Sequence, residues 1–433
     1  MEVKIIGAGL AGSETAYQLL KRGFKVKLYE MRPIKMTPAH QTSQFAELVC
    51  SNSLRSTDLT NAVGLLKKEM EELDSLIIKA AKYAMVPAGG SLAVDRNKFS
   101  GFIEKTLKSF SNLEVINEEV KHLSEDELTV ISAGPLVSDD LFSSIGNLIG
   151  KQDLHFFDAI APIVTKESIN MDVCYIKNRY DKGEASYINC PMEKDEYELF
   201  YHELLNATKV QPKDFENNVF EGCMPVEVMA ERGIETLTFG PLKPVGLEKP
   251  DGKRPYAVVQ LRQDDAANSL YNIVGFQTSL SWGEQKRVIR LIPGLENVEI
   301  VRYGVIHRNA YIESPKILNS SFQVIDHPKL FFAGQISGVE GYVESAASGL
   351  NVALQIASLM NNNCLAPLPI DTIIGSLARY VSTPNKSFVP MHANFGIIPE
   401  LAFKHKKKER KNLYVERAIA SLEKYKEDNY GLF

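Results

Sequence analysis

Nothing in the 433 residues approaches the run of roughly 20 apolar residues that a membrane-crossing helix needs, which argues against a helical membrane protein. Cysteine is scarce: there are five, Cys50, Cys174, Cys190, Cys223 and Cys364, with no CxxC pair and no spacing suited to zinc. That odd, scattered set reads as free thiols in a reducing, cytoplasmic compartment, and no metal is expected. Excess charge is also missing. A net charge of -5 gives no global attraction to nucleic acid, so any such contact must come from a local basic patch. Internal repeats and low-complexity tracts are absent. The first apolar run, Val3 to Ile6, leads straight into a glycine turn, so the N-terminus reads as part of a fold rather than as a cleavable signal.

What is present is an ordinary globular mixture, 44% hydrophobic and 24% charged, long enough for two domains. Residues 2 to 6 read as a buried strand, 10 to 22 as a helix and 25 to 30 as a second strand, a compact βαβ opening. Residues 33 to 60 carry Pro33, Pro38 and many Ser, Thr and Asn, and read as a long loop, a feature that is usually functional. From Ala62 to Ala81, Leu66, Met70, Leu73 and Ile77 recur at steps of four, three and four, the stripe of a helix packed on a core. Between about 150 and 300 the pattern shifts to short mixed segments, as in an inserted domain. Residues 329 to 353 then repeat the strand, glycine turn and helix of the opening. The expected architecture is α/β: a Rossmann-type domain with a doubly wound parallel sheet, formed by 1–150 and 300–433, interrupted by a smaller α+β insertion at 151–299.

The segment Gly7-Ala8-Gly9-Leu10-Ala11-Gly12 has GxGxxG spacing directly after a strand and at the opening of a helix. Gly7 permits the tight turn, Gly9 lets backbone approach a pyrophosphate, and Gly12 allows close packing of helix on strand. The helix N-terminus then offers unpaired N–H groups and a positive dipole end to phosphate. Eighteen residues after Gly12, Glu30 closes the second strand, where its carboxylate can accept from a ribose. The run Leu128 to Pro135, with its turn at Gly134, looks like the strand closing the nucleotide half of an FAD-binding protein. Leu330-Phe-Phe-Ala-Gly334-Gln335 returns late in the chain, followed by Gly349 in the expected helix, a pattern that favours FAD over NAD. No second GxGxxG exists for a separate nicotinamide domain, so NADPH or NADH is expected to dock transiently against the flavin.

Cys50 lies in the long loop, which a doubly wound sheet places near its ligand crevice, with Arg55 close enough in sequence to favour a thiolate. Cys223 sits in Phe220-Glu-Gly-Cys223-Met-Pro-Val-Glu227, read as an exposed turn in which Glu221 and Glu227 oppose a thiolate. These two segments, with Gly7 to Gly12, Val86 to Arg96, Gly334-Gln335 through Gly341-Tyr342-Val343-Glu344-Ser345, and Ala393-Asn-Phe-Gly396, resemble the folate- and FAD-dependent tRNA (uracil-5-)-methyltransferases, the TrmFO family. The likeness spreads over nearly the whole chain.

The resemblance implies a chemistry. Carbon 5 of uracil is a poor nucleophile until a thiolate adds to carbon 6. Carbon 5 then attacks a one-carbon electrophile, its proton leaves to a base, and the new methylene takes a hydride to become methyl. In the family the carbon comes from methylenetetrahydrofolate, relayed by reduced FAD, which also gives the hydride. By motif match Cys223 is the expected nucleophile and Cys50 its partner near the flavin, though the two roles can be exchanged. Tyr342 is a candidate to stack on the isoalloxazine or the pterin.

RNA contact is expected from the basic run Lys404, Lys406, Lys407, Lys408, Arg410 and Lys411, with Leu413, Tyr414 and Tyr425 flanking it. The expected substrate is the T-loop uridine of tRNA. The alternatives are a ribosomal RNA uridine, the wobble uridine handled by a longer flavin and folate family that works with a GTPase, an NADPH-flavin oxidoreductase without RNA, and a non-catalytic RNA-binding flavoprotein. No obligate protein partner is inferred.

Overall fold

The computed structural model describes residues 1–150, 154–159, 161–181, 185–210, 224–265, 267–304, 306–362, 364–385, 388–403 and 405–433, with backbone only for 154–159, 306–308 and 362. The first layer is a five-stranded, wholly parallel sheet in the order Leu330–Phe332, Thr129–Ile131, Glu2–Ile6, Lys25–Tyr29, Leu113–Ile116. Val3, Ile5, Leu28, Val130 and Phe331 share one buried face of it, and Ile6, Ile131 and Phe332 are buried on the other, as expected for parallel strands covered by helices. From Glu2–Ile6 the chain winds outward one way to Leu113–Ile116, then crosses back to the other side at Thr129–Ile131. That reversal is a topological switch point, and a crevice opens at the carboxyl ends of the strands flanking it.

Every residue of the helix Leu10–Leu20 is buried, because the helix lies between this sheet and the long late helix Tyr342–Asn362. The two helices touch backbone to backbone: a Cβ on Gly349 would lie 2.2 Å from the Ala11 carbonyl oxygen. Thr15 Oγ1 donates to the carbonyls of Ala11 (2.8 Å) and Gly349 (3.0 Å), closing the contact.

Two expectations need correction. Leu66, Met70, Leu73 and Ile77 are all buried, but Leu66 and Met70 belong to one helix, Ala62–Glu72, Leu73 caps its end, and Ile77 belongs to a second, Leu76–Tyr83. Asp74 adopts φ of 63°, and Ser75 starts the second helix by accepting from Ile78 N–H. The buried Glu14 carboxylate accepts from Ser75 Oγ (2.8 Å) and Ile77 N–H (2.9 Å), replacing the bonds a continuous helix would make there. The segment 33 to 60 is also not wholly irregular. Ser53–Ser56 pairs with Ser91–Val94 through a bulge, in a small sheet completed by Met85–Val86. One apolar residue in four gives that strand no alternation to read.

The second layer is a six-stranded antiparallel sheet in the order Tyr175–Ile176, Tyr187–Met192, Ala257–Gln263, Leu270–Ile273, Ile163–Thr165, Ile300–Arg302. It has its own core with the helices Lys194–Asn206 and Trp282–Ile289, built on Cys190, Tyr197, Phe200, Val259, Leu261 and Ile289. The strands Leu154–Ala159 and Ile306–Tyr311 pair where the chain enters and leaves this layer. The fold is therefore mixed α/β, a Rossmann-like parallel sheet with an antiparallel α+β insertion.

Glu69 caps another helix from a distance, accepting from Ile373 N–H (2.8 Å) and Ile374 N–H (3.0 Å) at the start of Ile373–Ser382. Burial pushes its pKa up to about 8, against the pull of those two donors. A raised folded-state value means the folded chain holds this proton more tightly. The associated stability is present below the ordinary carboxylate range and is lost as pH rises toward about 8. Thermal melts over a pH series should show the parent losing stability through that window more steeply than Glu69→Gln; equal slopes would refute the assignment.

Candidate active site

One cavity of about 400 Å3 occupies the crevice at the switch point. Gly7, Gly9, Leu10, Ala11, Glu30, Cys50, Gly134, Gly334 and Tyr342 all line it, so the cofactor candidates from three distant parts of the sequence converge. Ala8 and Gly12 stand behind the wall. Gly7 adopts φ of 100° against Ser132, and a Cβ on Gly12 would lie 1.9 Å from the Gly7 carbonyl oxygen, so both glycines are set by protein packing. Gly9 differs: a Cβ there would meet nothing within 4 Å, because that side opens to the cavity. The first N–H groups of the helix Leu10–Leu20 have no helical partner and mark this wall as an anion seat.

Glu30 is buried and crowded. Its Oε1 accepts from Arg32 N–H (3.1 Å) and Nε (2.9 Å), and its Oε2 from Ala8 N–H (3.0 Å) and Arg32 Nη2 (3.1 Å). Burial raises its pKa, but the Arg32 guanidinium and the two N–H donors more than offset this and hold it below the usual carboxylate range. All of the roughly four acceptor positions of the carboxylate are filled, so a ribose hydroxyl can join only by displacing one of Arg32's contacts. Arg32 also binds Glu47 (3.2 Å), tying the start of the long loop over the cavity. Beside it, burial pushes His40 down to about 4, with the Arg32 charge adding to the effect, and Thr37 Oγ1 bonds its Nδ1 at 2.6 Å.

Cys50 is half-buried on the cavity wall. Its N–H donates to the Tyr342 phenol oxygen at 2.6 Å, as does Ser51 N–H at 3.1 Å. Tyr342 therefore lines the cavity and also holds the Cys50 segment, a role with no trace in the local sequence. Burial and the neighbouring Cys50 raise the phenol pKa, so the ring stays protonated. Arg55, the residue expected beside Cys50, instead pairs with the buried Glu344. Arg96, bound to Asp264 (3.0 Å), donates to the Leu48 carbonyl, two residues before Cys50. Beneath Arg55, Lys67 Nζ donates to the Leu54 carbonyl (2.7 Å); burial, reinforced by the Arg55 charge, lowers it to about 7.

Cys223 and Glu221 lie outside the described residues. The expected exposed turn does not hold for the part of its segment that is described. Met224, Val226 and Glu227 are buried, and the Glu227 carboxylate accepts from Thr278 Oγ1 (2.9 Å) and from Ser279 N–H and Oγ (each 2.6 Å). Glu227 is thus committed to the insertion core rather than free to face a thiol. Cys174 and Cys190 are buried in that core, whereas Cys364 is exposed. Among the described residues no group of three or more His, Cys, Asp or Glu side chains is placed to hold a metal ion.

The family model described as Glucose inhibited division protein A matches residues 2–364. Methylenetetrahydrofolate--tRNA-(uracil-5-)-methyltransferase TrmFO of Acholeplasma laidlawii is 62% identical over 423 residues, 98% of this chain and 99% of that protein. The TrmFO protein of an Exiguobacterium strain is 58% identical over 431 residues, with 98% and 99% covered.

The chain belongs to the TrmFO family.

A solved structure of Aquifex aeolicus GidA superposes with a TM-score of 0.68 at 16% identity, covering 100% of this chain and 77% of that one, and so shares the fold. In this TrmFO-family chain the basic run sits at the C-terminal side. Lys406, Lys407, Lys408, Arg410 and Lys411 are exposed around the start of the helix Arg410–Asp428, and Lys404 lies outside the described residues. The flanking aromatics are not free to stack on bases: Tyr414 is buried against Phe395, and Tyr425 donates to the Ala366 carbonyl (2.6 Å). No helix among the described residues is long and apolar enough to cross a membrane.

The contrast between Gly9 and Gly12 gives a direct test. Gly9→Val projects into the cavity and should lower flavin affinity at least about tenfold while the apoprotein melts as the parent does. Gly12→Val drives a side chain into the Gly7 carbonyl and should destabilise the apoprotein by about 1–3 kcal/mol or more. Flavin titration and melting curves decide; a Gly9→Val protein that binds flavin normally would move the cofactor out of this cavity.

Proposed function

We propose that this chain transfers one carbon from methylenetetrahydrofolate to carbon 5 of the T-loop uridine of tRNA, using FAD, with NADPH or NADH as the source of reducing equivalents. The observation that carries this reading is 62% identity, over 98% of the chain, to a protein named for folate-dependent tRNA uracil-5 methylation. The cavity agrees with it. The residues fit a dinucleotide: the open side of Gly9 and the helix N-terminus would hold the diphosphate, Glu30 and Arg32 the ribose, and the Cys50, Gly334 and Tyr342 end the ring. Bound in its reduced form, the flavin supplies the hydride and relays the methylene carbon.

The rest of the chemistry falls to side chains. The Cys223 thiolate adds to carbon 6 of the uracil, making carbon 5 nucleophilic toward the one-carbon unit. Cys50, fixed by Tyr342 at the ring end of the cavity, takes part in removing the carbon 5 proton once the new bond has formed. Loss of that proton breaks the carbon's bond to its carrier nitrogen and leaves an exocyclic methylene; a hydride added to this methylene expels the Cys223 thiolate and restores the pyrimidine double bond. The target base must leave its stack to reach this cavity, which lies where the two layers meet. The exposed run from Lys406 to Lys411, with Lys404, contacts RNA phosphates. The chain divides near residues 150 and 300 into the flavin-holding domain and the insertion, in keeping with its two separate cores. It works in the reducing cytoplasm, where its thiols stay free.

Incubation of the flavin-loaded protein with unmodified tRNA, NADPH and labelled methylenetetrahydrofolate should place label at carbon 5 of the T-loop uridine. Label only in ribosomal RNA or at the wobble base, or NADPH oxidation with no label in RNA, would overturn the reading. Cys223→Ala should abolish labelling, and retained turnover would remove it as nucleophile. Replacing Lys406, Lys407 and Lys408 with Gln should weaken RNA binding and flatten its dependence on log salt by about two to three units. An unchanged slope would place the RNA elsewhere.

A further inference from the structure

The residues from Leu48 to Asn52 belong to no helix or strand, so their position is set from outside. The tethers come from both layers. Arg96 donates to the Leu48 carbonyl, Arg302 Nη2 to the Val49 carbonyl (2.6 Å), and Tyr342 takes the N–H groups of Cys50 and Ser51. Three consecutive residues at the end of Ala257–Gln263 complete the set. Arg262 donates from Nη2 to Ser51 Oγ (2.7 Å) and from Nε to the Asn52 side-chain oxygen (3.1 Å). The Gln263 carbonyl accepts from Asn52 Nδ2 (2.9 Å), and Asp264 holds Arg96.

Arg262 stands out among them. It is buried at the cavity wall, and among the described residues its partners are a hydroxyl and an amide oxygen rather than a carboxylate. Burying a guanidinium without a counter-charge is a poor device for stability alone. Its two donors bind the two residues that follow Cys50, in the planar fork geometry that lysine cannot copy.

We propose that Arg262 is a positioning residue for the methyl transfer: reaching across from the antiparallel sheet, it fixes Ser51 and Asn52 and so holds the Cys50 side chain at the ring end of the cavity. This rests on the reading that Cys50 reacts there. The sheet that carries Arg262 belongs to the insertion, so the hold on the Ser51 and Asn52 side chains depends on the two layers staying docked.

The test uses flavin-loaded, full-length Arg262→Gln, Arg262→Lys and Ser51→Ala. With a loop loosened by a fraction of an ångström to an ångström, Arg262→Gln should lose about tenfold to a hundredfold in kcat, while KM for tRNA and flavin content stay within about twofold. The rate at which iodoacetamide modifies Cys50, followed by peptide mass spectrometry, should rise at least about threefold as the half-buried thiol is freed. Arg262→Lys should recover only part of kcat, and Ser51→Ala, which removes one acceptor and leaves the sheet intact, should fall between. If Arg262→Gln does not fold or hold flavin, Ser51→Ala carries the test on the same two readouts. Parent-like kcat and parent-like Cys50 modification, within about twofold, would overturn the inference. An active Cys50→Ala protein would instead refute the role given to Cys50, and the modification rate would then judge Arg262 by itself.

Discussion

Where the helices Leu10–Leu20 and Tyr342–Asn362 cross, main chain meets main chain, and only glycine at position 349 leaves room for it. That contact joins the beginning of the chain to its end. It sets the start of the late helix over the open edge of the parallel sheet, and so brings Gly334 and Tyr342 onto the same cavity as Gly7 and Gly9. The glycine turn behaves in the same way on a smaller scale, with Gly12 pressed on the Gly7 carbonyl and Ser132 Oγ donating to the carbonyls of Ile6 and Gly7 (both 3.0 Å). Close packing of this kind tolerates no added methyl group, which makes the cavity's shape a consequence of the core beneath it.

Charge finishes what packing begins. The buried set Glu30, Arg32 and Glu47 fastens the loop over the nucleotide end of the cavity. A second set, Arg96 with Asp264, together with Arg262 and Arg302, fastens the loop at the Cys50 end. Isolated ions at such depth would be costly; here each guanidinium meets backbone carbonyls, side-chain oxygens or a carboxylate. The insertion thus does more than enlarge the protein, since its sheet supplies part of the scaffold for a cysteine that belongs, in sequence, to the first layer.

What could be read from the sequence was local. Gly7 to Gly12, the strand before it, the helix after it and the acid at position 30 lie within thirty residues, and their spacing encodes the turn directly. The stripe from Leu66 to Ile77 was equally legible as a buried face, but the break inside it was not. Glu14, which caps the second half, lies 61 residues from Ser75. The same limit applies to the site. Cys50 was visible as a candidate, whereas its anchors are not: Arg262 is 211 residues from Ser51, Arg302 is 253 from Val49, and Tyr342 is 292 from Cys50. Arg55, the near neighbour that sequence favoured, turns to Glu344 because its own left-handed backbone and the start of the late helix place it there. At Arg55 proximity in sequence was a poor guide, because a tertiary partner of opposite charge was on offer.

The central claim is that one cavity seats a diphosphate at Gly9 and a flavin ring beside Cys50 and Tyr342. A crystal structure of the flavin-loaded protein tests it most directly. The account predicts the diphosphate over the N-terminus of Leu10–Leu20 and the isoalloxazine within van der Waals contact, about 4 Å, of the Cys50 and Tyr342 side chains. A ring bound at the Glu118 to Ser138 end of the cavity, or a Cys50 sulfur directed away from it, would contradict the account.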